Sequence, residues 1–111
     1  MNSVQIADDV ILSIIGVSAT KVKGVKALNG GLTDSIITSI GAQALKRGIK
    51  IEIKDNTIEV FLSIILESGY NAMQISTEVQ DRVKESIESM LDFTVKAVNI
   101  KIVDIDLDEN Y

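Results

Sequence analysis

Apolar and polar residues alternate with two different periods along this chain, and the switches between them mark its elements. Ile49, Ile51 and Ile53 alternate with Lys50, Glu52 and Lys54, the period of a half-buried strand. After the turn residues Asp55-Asn56, the alternation resumes at Ile58, Val60, Leu62, Ile64 and Leu66. Two such runs with a tight connection predict an antiparallel hairpin. Phe61 and Ile65 fall on the face opposite Leu62 and Ile64, so the second strand is apolar on both faces. Both faces need cover, from helices of the same chain or from another subunit or partner.

Helical spacing flanks the hairpin. Ala7, Val10, Ile11, Ile14 and Ser18 make one stripe of a first helix running to about Val22, with Asp8 and Asp9 at the positive end of its dipole. Lys21 and Lys23 in its last turn and Gly24 beyond them form a stop signal, and Val25 to Leu28 reads as a short strand. Past the Asn29-Gly30-Gly31 loop, Leu32, Ile36, Ile37, Ile40 and Ala44 predict a second helix up to Gly48, weakened by Gly41. After Ser68-Gly69-Tyr70, Asn71 is placed to cap a long helix with Gln74 three positions on. Its buried stripe is Ala72, Ile75, Val79, Val83, Ile87, Met90 and Leu91, and Glu78 and Arg82 on the solvated side are ordered for an i,i+4 pair. In the last strand Val98, Ile100 and Ile102 alternate, then the parity flips to Val103, Ile105 and Leu107, as a bulge would produce. The predicted fold is α+β, one domain over residues 1–111. It has a mixed sheet whose central antiparallel hairpin is covered by two or three helices, in the order α-β-α-β-β-α-β.

Composition narrows the chemistry. The chain has no histidine, which removes the usual base for a serine nucleophile, and no cysteine, which removes disulfides and thiolate zinc sites. No spacing of the remaining polar groups supplies a convergent catalytic set, so the expectation is a protein that is not an enzyme and holds no cofactor. Asp104, Asp106 and Asp108 alternate along the last strand and so project from one face. They suit a hard cation only weakly, because the glycine turn and distal Glu of a calcium loop are missing, and such acids more often guard a strand edge. Gly30-Gly31 lacks the rest of a phosphate loop and reads as a hinge.

Charge is uneven. Residues 1–54 carry seven Lys/Arg against four Asp/Glu, a balance of +3, and residues 55–111 carry four against twelve, a balance of −8. Opposed patches of this kind steer head-to-tail contacts or attract a basic partner. Lys46, Arg47, Lys50 and Lys54 form the only basic cluster, and it has neither stacking aromatics nor an overall basic balance, so nucleic acid is not expected. No basic, apolar leader opens the sequence, and its longest strongly apolar run, Val60 to Leu66, is far shorter than the roughly 20 residues that span a bilayer. The expectation is a chain that does not insert directly into a membrane and reaches one only through a partner.

Gly69, Asn71, Ile75, Val79, Gln80, Val83, Met90, Val95 and the run Val98-Asn99-Ile100 resemble the signature of the alkaline-shock, or envelope-stress-response, family of Gram-positive bacteria. Ile6, Val10 and Ile11 are similar to that family's opening helix, Gly24-Val25 to its helix stop, and Ile49 to Leu66 to its central hairpin. The likeness spans about residues 4–105. It implies a cytoplasmic, non-enzymatic protein of envelope stress or homeostasis with no cofactor. It also implies protein partners, among them further copies of the chain and a small membrane-anchored protein. The expected function is that of a scaffold or adaptor, with Phe61, Ile65, Asp104, Asp106 and Asp108 as the expected protein interface. The competing reading is a small-molecule-binding regulatory domain, in which Tyr70 and the Gly69 turn line a cleft at the start of the long helix.

Overall fold

The computed structural model describes residues 3–31, 33 and 42–107. Along the chain come α1 (Asp8–Thr20), β1 (Val25–Leu28), a single turn α2 (Ala42–Leu45), β2 (Ile49–Lys54), β3 (Thr57–Glu67), α3 (Ala72–Met90) and β4 (Thr94–Asp106). This is the expected α-β-α-β-β-α-β order. The predicted second helix is met only at its end: Leu32, Ile36, Ile37, Ile40 and Gly41 lie outside the described residues.

The other three strands of the sheet all pair with β3. β2 pairs with it antiparallel from Ile49 opposite Leu62 to Lys54 opposite Thr57, which is the predicted hairpin. The turn residue Asp55 adopts φ 57°, a left-handed conformation that Asp tolerates better than most. β1 takes the remaining length of the same edge, with Leu28 opposite Ile64 and Val25 opposite Leu66. Ser63 is the junction: its carbonyl accepts from the Asn29 N–H and its own N–H donates to the Gly48 carbonyl, both at 2.9 Å. Gly48 permits that meeting, since a Cβ there would lie 3.0 Å from the Leu28 side chain.

β4 runs parallel along the other edge of β3, so the sheet is mixed. Parallel neighbours need a crossover of a dozen or more residues, and α3 supplies it. Asn71 starts α3 by accepting the Gln74 N–H on its side-chain oxygen at 3.0 Å, as its spacing predicts. Ile75, Val79, Val83 and Ile87 are buried and Leu91 nearly so, whereas Met90 is 65% exposed. The stripe advances in steps of four, from Ile87 to Leu91, and a three-residue step turns Met90 away from the sheet.

The first helix differs more. Its buried residues are Ile11, Leu12, Ile15, Gly16 and Ala19, while Ala7 and Val10 are exposed and Ile14 and Ser18 are half-buried. Apolar residues surround this helix, so periodicity alone does not choose the face. It also ends at Thr20, with Lys21 as its cap rather than in its last turn. Val22 then turns into the core, its N–H donating to the Ala19 carbonyl at 3.3 Å and its carbonyl accepting the Val25 N–H at 3.1 Å.

Both helices lie on one side of the sheet. There Ile58, Val60, Leu62, Ile64 and Leu66 of β3 are at most 1% exposed and pack with the buried stripes of α1 and α3. Each such burial contributes about 1.5–3 kcal/mol. Ser18 Oγ meets Ser86 Oγ at 2.7 Å between the two helices, and Glu78 pairs with Arg82 at 3.6 Å on the solvated side of α3. That exposed pair contributes only a few tenths of a kcal/mol. Among the described residues no helix is long and apolar enough to cross a membrane.

Gly24 is the tightest point of the chain path, at φ +102°, where a Cβ would come within 2.7 Å of Ile75 Cδ1 and 2.9 Å of the Tyr70 ring. Gly24→Ala is expected to lower unfolding free energy by at least about 2 kcal/mol, from backbone strain and displaced packing. Urea denaturation checks this, and a midpoint within error of the parent would contradict the packing.

Candidate functional site

The strict alternation of β3 that fills the core also builds a second surface. Phe61, Ser63 and Ile65 point away from α1 and α3 and remain half-buried. Register places Lys50 of β2 and Asn99 of β4 beside Phe61, Lys101 beside Ser63, and Ala27 and Asp104 beside Ile65. No described helix lies over this side, so among the described residues the helices cover one face of the two-faced strand, while on the other Ala27, beside Ile65, is buried and Phe61 and Ile65 are half-buried.

Its polar residues are already engaged with one another at one end. Glu59 holds Lys96 at 3.8 Å and the Asn99 side-chain amide at 3.0 Å, and that amide also donates to the Val60 carbonyl at 3.2 Å. Lys50 Nζ lies 5.7 Å from the centre of the Phe61 ring, a cation–π contact of about 0.5–1 kcal/mol at an exposed site. The other end is acidic. Asp106 stands beside Glu67 with Asp104 two residues back, and Lys26 at 3.4 Å from Asp106 is the cation paired there.

A bulge positions those carboxylates. Ile102 pairs with Ile64 and Asp104 with Ile65, so Val103 is an extra residue, as the flip in parity predicts. Without it Asp104 would fall level with Leu66 on the core face, where an unpaired carboxylate is costly. The Asp104 carboxylate instead accepts the Ile105 N–H at 2.8 Å. A second bulge, which the pattern does not reveal, falls at Lys96 between Val95 and Ala97. The outer edge of β4 is closed in its first half by α3: Glu88 accepts the Val95 N–H at 2.9 Å and Gln80 donates to the Val98 carbonyl at 3.0 Å.

Phe61, Ile65, Asp104 and Asp106 therefore share one face, while Asp108 lies outside the described residues. Sequence reasoning missed Lys50, Glu59, Lys96, Asn99 and Lys101 as members of it. The parity of β4 already places Asn99 and Lys101 opposite Ile100, but which strand they stand beside is a long-range fact. The Tyr70 ring, expected to line a cleft with the Gly69 turn, sits over Gly24. Of the basic cluster, Lys46 and Lys50 line one shallow depression with Asp8, Lys50 also lies over Phe61, and the Arg47 stem packs on Gly30. Among the described residues no group of three or more acids converges on a metal-sized space.

Comparison with known proteins agrees with the resemblance. The profile of the alkaline shock protein 23 family, described by its cell envelope-related function, matches residues 1–107. The uncharacterized protein YqhY of Bacillus subtilis (strain 168) is 25% identical over 108 residues, covering 97% of this chain and 80% of that protein. The uncharacterized protein Spy1614 of Streptococcus pyogenes serotype M6 is 28% identical over 104 residues, 92% of this chain and 86% of that one. A stress response regulator gls24 homolog of Streptococcus pyogenes serotype M3 is 29% identical over 108 residues, and the chain spans 59% of its length. No solved structure matches the chain.

The open face gives neighbouring residues unequal weight. Leu62→Ala is expected to cost about 2–5 kcal/mol, as a buried aliphatic does. Phe61→Ala, one position away, is expected to cost about 1 kcal/mol or less, well under the 3–5 kcal/mol typical of a core Phe. Denaturation of dilute protein compares the two, and equal costs would mean the face is covered.

Proposed function

Because the chain belongs to the alkaline shock protein 23 family, with its cell envelope-related function, we propose that it is a non-catalytic adaptor of envelope stress or homeostasis. It works by holding proteins against the face of its sheet that no described helix covers. The observation that carries this reading is that face: Phe61 and Ile65 stay half-buried with no described helix over them, while the opposite side of the same strand is fully packed. An apolar centre rimmed by charges is the anatomy of a protein interface. Asp104 and Asp106 at one end, and Lys50, Lys96 and Lys101 elsewhere on the rim, give it a polarity that orients a partner.

The partners proposed are further copies of the chain and a small membrane-anchored protein, which brings this one to the cytoplasmic side of the envelope. The name of the curated streptococcal relative, a stress response regulator homolog, supports the stress setting. The absence of both His and Cys removes the commonest catalytic groups and supports a binding role.

Ile65→Asp and the pair Asp104→Lys with Asp106→Lys are expected to keep the circular dichroism and the denaturation midpoint of the parent. They are expected to lose self-association in light scattering, or capture of a named membrane protein from envelope fractions, by roughly tenfold or more. Unchanged association and capture in both variants would reject this face as the interface.

A further inference from the structure

On the side of the molecule away from the open sheet face, α1 and α3 leave a groove of about 420 Å³ between them. Its floor is where Ser18 meets Ser86 at 2.7 Å, so small side chains bring the helices together and leave room above them. The chain path makes the helices antiparallel: α1 turns straight into β1, which opposes β3, and α3 returns along β3 to start the parallel β4. Ile14 and Met90 therefore line one end, with Val17 alongside, and Lys21 and Arg82 line the other. From Ile14 to Lys21 the groove is about 10 Å long, two turns of helix.

Three features select the occupant. The walls are apolar and reachable, with Met90 65% exposed and Ile14 and Val17 half-buried. Lys21 and Arg82 line it and no carboxylate does, although Glu78 reaches Arg82 at 3.6 Å from outside the lining, on a chain whose net charge is −5. It is open along its length, so it would leave much of a small molecule in water, whereas ligand pockets enclose most of the ligand. A helix brings its own apolar stripe to such a groove and completes a three-helix layer. Among the described residues a second copy offers no such helix, because the apolar stripes of α1 and α3 are buried in their own core and the outer face of α3, with Glu78, Asp81 and Glu85, is polar.

We propose that this groove docks an acidic amphipathic helix of a partner protein. Leu- or Ile-type residues at i, i+4 and i+7 rest on Ile14, Val17 and Met90, and a carboxylate reaches Lys21 and Arg82. The site is independent of the sheet face, and with it the two layers of the fold hold two partners on opposite sides.

The methionines provide the readout, since Met90 lines the groove and Met73 lies on another part of α3. Methyl-labelled protein is titrated with three designed helical peptides of equal length. They carry a leucine stripe with glutamates, the same stripe with lysines in place of glutamates, and a scrambled acidic control. The acidic amphipathic peptide is expected to shift Met90 and leave Met73 in place, to bind more tightly at low salt, and to weaken roughly tenfold in Lys21→Glu with Arg82→Glu. Ile65→Asp is expected to leave this binding unchanged, which separates it from the sheet-face proposal. Equal binding of the lysine peptide, no Met90 shift at millimolar peptide, or unchanged affinity in the double variant would overturn the proposal. So would a Met90 shift produced by decanoate but by no peptide, or by self-association at rising protein concentration.

Discussion

Strand β3 is bonded along both edges, and its side chains alternate without interruption between two very different surroundings. Ile58, Val60, Leu62, Ile64 and Leu66 meet both helices and are sealed, while Phe61, Ser63 and Ile65 meet none of the described helices. With a side-chain period of two, any slip of register would send the core set outward and the outer set inward. The features around the strand serve that constraint. β1 and β2 divide one edge at Ser63, α3 returns the chain for a parallel partner on the other, and the Val103 bulge keeps a carboxylate from the core as β4 outruns the regular ladder.

Much of this is legible in the residues because it is local. The Asp55-Asn56 turn and the two alternating runs specify the hairpin and its register. Asn71 and Gln74 announce the start of α3, and the change from Ile102 to Val103 announces the bulge. What is not legible depends on contacts distant in sequence. An apolar-all-round first helix does not say that Ile11, Leu12 and Ile15 rather than Val10 enter the core, and nothing near Val25 or Thr94 states which edge of β3 each strand will take. Of the candidate face, Phe61, Ile65, Asp104 and Asp106 follow from parity. Lys50, Glu59, Lys96 and Asn99 join it only once the strands are placed side by side.

The same two-layer economy leaves two reachable surfaces. The sheet layer ends in a face that is apolar at its centre and charged at its rim, and the helix layer ends in a groove with an apolar end and a cationic end. Two opposed surfaces of different chemistry are the features on which the proposed adaptor role rests.

The most direct test places a photo-crosslinking amino acid at Ser63, between Phe61 and Ile65, in the full chain in living cells, with Glu85 on the outer side of α3 as the control. A protein adduct is expected at position 63, identified by mass spectrometry and lost when Ile65 is changed to Asp, and none at position 85. No adduct at 63, or equal adducts at both positions, would contradict the claim that the sheet face opposite the described helices is where this protein works.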